Sequence, residues 1–287
     1  MRRFLVVGTG RAGQARLRSL AARSDIEGIA LSARNADFDL TFEEYLSDPS
    51  IEAVLVCTQN SSHFEIALRA LTACKHVLVE FPLTHDHNDA IQLYETANDN
   101  KRVLHVEFIG LMTASHLAYH ASDSQSWHRV KVIMEGDLYR WVETEYESNR
   151  VGGLMNGRLQ ALHHLLGSLE LKNTRIEHFT DGYSVSVQLS DQNGTQIEVN
   201  DTRRVGLKRV RKMKIYERDE TLIEPGETGR SVSLFAADLD VFCRKIQRED
   251  TQWSLPDESD IIEVIRLSEA ISHQCVSTFG ENTLHSS

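Results

Sequence analysis

No stretch of this chain approaches the roughly 20 consecutive apolar residues that a helix needs to cross a bilayer, so the sequence predicts no membrane span. Arg2 and Arg3 open the chain. The apolar run behind them flows straight into a glycine turn, where a secretory leader would carry a small-residue cleavage site. Cysteine is sparse. Cys57, Cys74, Cys243 and Cys275 lie far apart with no CxxC pair, which argues against a metal ligand set and for buried thiols in a reducing, cytoplasmic setting. Positive charge is in deficit, with 31 Lys and Arg against 42 Asp and Glu and a net charge of -11. A polyanion would be repelled at long range, so nucleic acid is not an expected partner. One segment runs against this balance: Arg203, Arg204, Lys208, Arg209, Arg211, Lys212 and Lys214 put seven cations within twelve residues. It reads either as the solvated face of a strand or as a landing site for carboxylates or phosphates of a small ligand. Internal repeats and low-complexity tracts are also missing. What the chain has in quantity is core, 41% hydrophobic residues over 287 positions, enough for two domains.

Its most informative stretch follows the apolar run Phe4–Val7. Gly8, Thr9, Gly10, Arg11, Ala12 and Gly13 give the spacing G-x-G-x-x-G. In a strand–turn–helix unit the first glycine permits the tight turn, the second lets a pyrophosphate approach the backbone, and the third lets helix and strand pack closely. The anion would rest on free N–H groups at the helix N-terminus.

Residues 1–122 alternate between strand and helix. Strands are predicted at Phe4–Val7, Gly28–Leu31, Ala53–Cys57, His76–Glu80 and Arg102–Glu107, with helices at Gln14–Arg23, Phe42–Leu46, Ser62–Ala73 and His87–Asn98. Wholly apolar strands such as Ala53–Cys57 suit a parallel sheet covered on both faces, hence an α/β, doubly wound dinucleotide-binding domain. Residues 123–287 read differently. Half-buried strands are predicted at Val130–Met134, Arg175–His178, Tyr183–Leu189, Gln196–Val199 and Lys212–Glu217, with a hairpin turn at Asn193–Gly194. Helices are expected at Leu159–Leu169, Leu234–Gln247 and Asp260–Ser277. This is an α+β domain with a large, mostly antiparallel open sheet, whose final helices are free to pack back on the first domain. An open sheet face either covers a substrate or pairs with another subunit, so monomer and homodimer both stay open.

The second strand ends without the carboxylate that would hold the ribose 2′-hydroxyl of NAD. Ser32 and Arg34 stand there instead, and a guanidinium fork suits a 2′-phosphate. Arg11 adds a cation within the turn. NADPH is favoured, with NADH as the alternative. At the far ends of the next strands, Cys57, Thr58, His63, Glu80 and Phe81 are expected to line the cofactor site.

The segment Glu80-Phe81-Pro82, after His76–Val79, resembles the E-K-P turn of the Gfo/Idh/MocA oxidoreductases, and the two-domain layout resembles theirs as well. Their sugar dehydrogenases use that lysine with a D-x-x-x-H pair to handle a hydroxyl proton. Phe81, Asn156 and Gln160 occupy those places here. None of the three titrates near neutral pH, so alcohol oxidation lacks its base. The chain is most similar to the biliverdin reductase branch. The matching blocks are the glycine turn, Ser61–His63, Lys75–Glu80, Val103–His105 with Glu107, Arg158–Leu159 with Leu166–Gly167, and Gly206–Arg209. It departs at Phe81, a tyrosine in animal members, at Gly110, where a second carboxylate falls, and along Tyr139–Arg150.

The resemblance implies NADPH-dependent reduction of biliverdin to bilirubin, with hydride delivered to the C10 methine. No hydroxyl base is required for that. Arg158 is implied as the catalytic cation, through electrostatic stabilisation or by orienting a donating water; pairing with a carboxylate is the alternative. Glu107 either positions the nicotinamide, relays a proton or serves structure. His105 titrates in a useful range and is the third catalytic candidate. His163 and His164 do as well, but adjacent helix positions point about 100° apart, so no metal is expected on that pair. A non-catalytic bilin or NADP binder and a reductase of another conjugated substrate are the competing readings.

Overall fold

The computed structural model describes residues 1–122, 124–223 and 233–282, with side chains to Cys275. It begins with β1 (Arg2–Val7), α1 (Arg11–Ala21), β2 (Ile26–Leu31), α2 (Phe38–Ser47), β3 (Ile51–Val56), α3 (His63–Thr72), β4 (His76–Val79), α4 (His87–Asp99) and β5 (Leu104–Val106). Next come α5 (Ala114–His120), β6 (Trp127–Gly136), α6 (Arg140–Glu147), α7 (Val151–Leu166), β7 (Leu169–Phe179), β8 (Gly182–Asp191), β9 (Gln196–Arg204), β10 (Val210–Glu217) and β11 (Leu222–Ile223). Helices α8 (Leu234–Gln247) and α9 (Glu258–Asn282) follow. Two compact units result. One is Met1–Thr113 with the described part of Arg230–Glu258; the other is Ala114–Gly229 with Ser259 onward, again as far as it is described.

The first unit is a five-stranded sheet of order β2-β1-β3-β4-β5, parallel throughout. Phe4–Val7 and Ala53–Val56 are fully buried, as strands covered on both faces must be. The order reverses direction at β1 and β3, so a ligand is expected outside their carboxyl ends. Helix α8 joins this unit through Leu239, Phe242 and Cys243. Phe242 meets Phe4 edge-on at 6.0 Å, and burying one such ring contributes about 1.5–3 kcal/mol.

The second unit carries a six-stranded sheet, β11-β10-β6-β9-β8-β7. All neighbours are antiparallel except β6 and β9, which run parallel. Alternating residues of β6, β8 and β9 (Val130, Val132, Val185, Val187, Val199) pack with Leu159 and Leu162 of α7 and Val264 and Ile271 of α9. The hairpin between β8 and β9 turns at Asn193–Gly194 as predicted, with Gly194 at φ +82°. The Asp191 carboxylate accepts from the Asn193 and Thr195 amides there, at 2.9 and 2.7 Å.

Candidate functional site in the nucleotide unit

The three glycines of the turn divide their work in space. Gly8 sits at φ +99°, and a Cβ there would stand 2.4 Å from the Cys57 carbonyl oxygen. A Cβ on Gly13 would stand 1.9 Å from the Gly8 carbonyl oxygen. Gly10 is different: it caps α1 in extended conformation, and nothing lies within 4 Å of where its Cβ would be. Two glycines therefore hold the turn closed while the third leaves an open approach to the first amides of α1, which has no acidic residue in its first turn. Arg11 and Arg34 are exposed, with no ion pair among the described residues. The Arg34 amide donates to Ser32 Oγ at 3.3 Å, and no carboxylate follows β2 before Asp37. These residues fit a dinucleotide, and the free guanidiniums fit one bearing a 2′-phosphate.

Cys57 and Thr58 continue β3 on the same side of the sheet. The Cys57 thiol is pushed well up by burial, with Glu80 adding to the effect, so it is an unreactive spacer under the turn. His63 ties the neighbouring strand ends together. Its Nδ1 lies 2.7 Å from the Pro82 carbonyl and its Nε2 lies 3.3 Å from that of Thr58. Phe81, half-buried, precedes Pro82 across a cis peptide bond.

Behind this surface lies a buried ionic cluster. Arg16 of α1 donates from Nε to Glu80 at 2.6 Å, and its Nη2 meets the Asp238 carboxylate of α8 at 2.7 Å. Burial alone would lower the arginine's pKa, but Glu80 and Asp238 outweigh it and raise it. Asp238 also accepts from the Phe108 amide at 3.0 Å and faces His105 Nε2 at 3.1 Å. Burial works against its ionised form, yet His105 and Arg16 prevail and bring it down to about 2. Glu80 is raised, since burial exceeds the help it receives from Arg16. Glu107 completes the cluster: burial first, then Glu80 and Asp238, push its carboxyl up to about 8. One of its oxygens accepts from the Ile109 amide at 2.6 Å.

The placement of His105 corrects its expected role. The ring is 1% exposed, lies between Phe108 and Phe242, and turns Nε2 to Asp238. Burial lowers its pKa, with Asp238 opposing, and the ring has no face to a substrate, so it acts by fixing Asp238. Arg16 and Asp238 themselves escaped the sequence reading. A signal existed, because Arg16 shares the buried stripe of α1 with Gly13 and Leu20, and an arginine on such a stripe demands acidic partners.

In the second unit, Arg158 of α7 is half-buried and has no carboxylate partner among the described residues. Burial and the nearby Arg209 hold its pKa down. Arg211 is pushed down to about 10 by desolvation and by Arg209, Arg158 and Arg203. The basic segment thus splits. Arg203 and Arg204 are paired with Asp201 and Asp181, while Arg158, Arg209 and Arg211 stand together with no ion pair among the described residues, Asp201 offsetting Arg211 only in part. Asn156 and Gln160 are 0% and 5% exposed, and both Asn156 side-chain polar atoms and the Gln160 amide nitrogen have no hydrogen-bond partner among the described residues. Two positions along a helix is about 200° of turn, so Arg158 lies on the opposite face of α7 from these amides.

Residues 2–108 match the oxidoreductase family with an NAD-binding Rossmann fold, Gfo/Idh/MocA. Biliverdin reductase A of Mus musculus is 29% identical over 286 residues, covering 94% of this chain and 95% of that protein. The Homo sapiens protein is 27% identical, covering 95% and 96%. Among solved structures, biliverdin reductase of Synechocystis sp. PCC 6803, in complex with biliverdin and NADP+, superposes with TM-score 0.75 at 20% identity, covering 95% of this chain and 98% of that one. A putative myo-inositol dehydrogenase from Sinorhizobium meliloti 1021 reaches the same TM-score of 0.75 at 17% identity, covering 97% and 98%, so the fold alone does not choose between bilin and sugar. The nucleotide turn, the match of residues 2–108 to the Gfo/Idh/MocA oxidoreductases and the similarity to biliverdin reductases along nearly the whole length mark this chain as an NAD(P)H-dependent oxidoreductase.

Proposed function

We propose that the protein reduces biliverdin to bilirubin with NADPH. When bound, NADPH supplies a hydride, which the C10 methine of the bilin accepts. The chain's own residues do the rest. The turn Gly8–Gly13 with Arg11 holds the pyrophosphate, and Ser32 and Arg34 select the 2′-phosphate. Cys57, Thr58, His63, Glu80 and Phe81 shape the nicotinamide end. Reduction leaves negative charge on a pyrrolic nitrogen, which must gain a proton. Glu107 is the donor we assign, because a carboxyl raised to about 8 is largely protonated at neutral pH and lies near the optimum for proton transfer. Arg158 stabilises the developing charge, and Arg209 and Arg211 take the propionates.

The observation that carries this reading is a pairing of lacks: no titratable side chain at Phe81, Asn156 or Gln160, and no counter-ion on Arg158. A conjugated, dianionic acceptor needs no base and supplies the missing negative charge. Mixing the protein with NADPH and biliverdin tests it. Decay of the green band with growth of a yellow one is expected, strongly slowed in Arg158→Ala. A shifted green band without turnover would instead mark a bilin-binding protein, and efficient oxidation of a polyol would overturn the reading.

A further inference from the structure

Arg203 has no task in the chemistry above. It stands on β9 two positions beyond Asp201, and alternation along a strand puts both side chains on the face of Ile197 and Val199, which packs on α7 and α9. The register sets Asp201 opposite Met134 of β6 and Arg203 opposite Gly136. Met134 pairs in turn with Arg211 of β10. Arg203 and Arg211 therefore share one face of the sheet, with β6 between them. The Arg203 side chain reaches over that strand, since a Cβ on Gly136 would stand 2.7 Å from its Nη1.

This guanidinium is held in place. Its Nε donates to Asp201 Oδ1 at 2.7 Å. Its neighbour on β8 is Tyr183, which is buried and stacks under Tyr146 at 4.4 Å. Only 12% of the Arg203 side chain is exposed, whereas Arg209 and Arg211 are exposed residues. Bonding through Nε leaves the two Nη groups without a hydrogen-bond partner among the described residues. The charge around them is one-sided: Arg209, Arg158 and Arg203 act on Arg211 against Asp201 alone. Guanidiniums gathered in this way repel one another until an anion joins them. A glycine weakens the strand that contains it and often marks a close approach. At Gly136 the approaching group is the guanidinium.

We propose that Arg203 is a further carboxylate-binding cation of the substrate site, with Asp201 and the space at Gly136 fixing its position. Resting on the bilin reading above, this assigns the propionate at Arg211 a second contact, its oxygens accepting from the Nη groups of Arg203. Because the side chain is already ordered, binding gives up little rotamer freedom. Arg203 therefore adds more to affinity than an exposed arginine can. Asp201 acts through Arg203 and is a positioning residue.

Gly136→Ala tests this with every charge retained. The new methyl meets the far end of a flexible side chain, so the guanidinium moves aside and the strand stays. The thermal midpoint and NADPH affinity should match the wild type, while KM for biliverdin rises by about tenfold at unchanged kcat. Arg203→Met should raise KM at least as much. Adding Gly136→Ala to it should change nothing more, because the alanine acts only through the arginine. Asp201→Asn should raise KM in the same sense. Biliverdin dimethyl ester has no carboxylate to bind, so its KM should be the same in all these proteins. Where bilin binds without turnover, the Kd from its absorbance shift replaces KM in each comparison. An unchanged value in Gly136→Ala and Arg203→Met, or an equal rise for acid and ester, overturns the assignment and leaves the bilin reading standing. A wild-type protein that neither binds nor reduces biliverdin overturns both.

Discussion

Arg16 and Asp238 meet at 2.7 Å with both side chains fully buried, joining the first helix of the nucleotide unit to a helix that returns more than two hundred residues later. Removing one partner of a buried pair leaves an uncompensated charge, at about 3–5 kcal/mol. Glu80 still faces Arg16, so Asp238→Asn is expected at the low end of that range in urea denaturation. Arg16→Met with Asp238→Leu together also strips buried Glu80, the Phe108 amide and His105 of their partners, so it should be less stable than Asp238→Asn. A double variant as stable as the wild type would show that the cluster contributes nothing to stability.

The same carboxylate sets an acid limit. Asp238 falls from 3.8 to about 2 on folding, so its contribution is complete above about 3.8 and is lost as pH drops through about 2. His105 is also lowered and acts in the same direction, losing stability as pH falls below its unfolded value. Stability measured from neutral to acid pH should decline, and Asp238→Asn should flatten the lowest part of that curve.

Glu107 works in the opposite sense. Its pKa rises from 4.5 to about 8 on folding, so it favours the folded state fully below the lower value, and that contribution fades as pH climbs through the higher one. Glu107→Gln should therefore remove a fall in stability that the wild type shows between about pH 4.5 and about 8. It should also remove the alkaline limb of the turnover profile along with most of the rate. An unchanged profile would take Glu107 out of the proton path.

These groups show where sequence is readable and where it is not. Phe4–Val7 and Ala53–Val56 announce themselves because burial on both faces leaves only apolar residues, and Gly8 and Gly13 because backbone sterics admit little else. Helix α8 was found within its true bounds for the same periodic reason. Helix α5 was missed, being barely two turns of Ala, Ser, His, Leu and Tyr, and so was α6, whose buried face includes Glu145. The ion cluster stayed hidden because its members, Arg16, Glu80, His105 and Asp238, are brought together only by the sheet order and the return of α8. His105 looked reactive by residue type. Burial, which no single residue discloses, makes it a support for Asp238.

The glycine turn offers a test that separates folding from binding. Gly13→Ala places a methyl at 1.9 Å from a carbonyl oxygen, so it should lower the thermal midpoint and abolish NADPH binding. Gly10→Ala has open space around it, so the midpoint should hold. NADPH affinity should still fall by about tenfold or more where the methyl meets the pyrophosphate. A Gly10→Ala protein that binds NADPH normally would move the phosphate elsewhere.

In the proposed reading, cofactor choice rests on Arg34. A charge-assisted bond to a 2′-phosphate contributes about 1.5–3 kcal/mol, so Arg34→Ala should weaken NADPH binding by about tenfold or more and leave NADH unaffected. Fluorescence titration with both nucleotides reads the ratio directly. Equal losses for the two would assign Arg34 to the shared part of the dinucleotide.

Arg209 and Arg211 carry the substrate's charge in the proposed reaction, and esterification tests this without touching the bilin's conjugated system. Arg209 is exposed, and an exposed ion pair contributes about 0.2–1 kcal/mol. Arg209→Ala should therefore raise KM for biliverdin by about two- to fivefold, with a larger effect when Arg211→Ala is added. Biliverdin dimethyl ester has no carboxylate to lose, so its KM should stay the same in the variants as in the wild type. Added salt should raise KM for the free acid and leave the ester alone, since screening acts on the charge pair. If the variants impair acid and ester equally, the two arginines contact the tetrapyrrole plane or support the fold, and the propionates bind elsewhere.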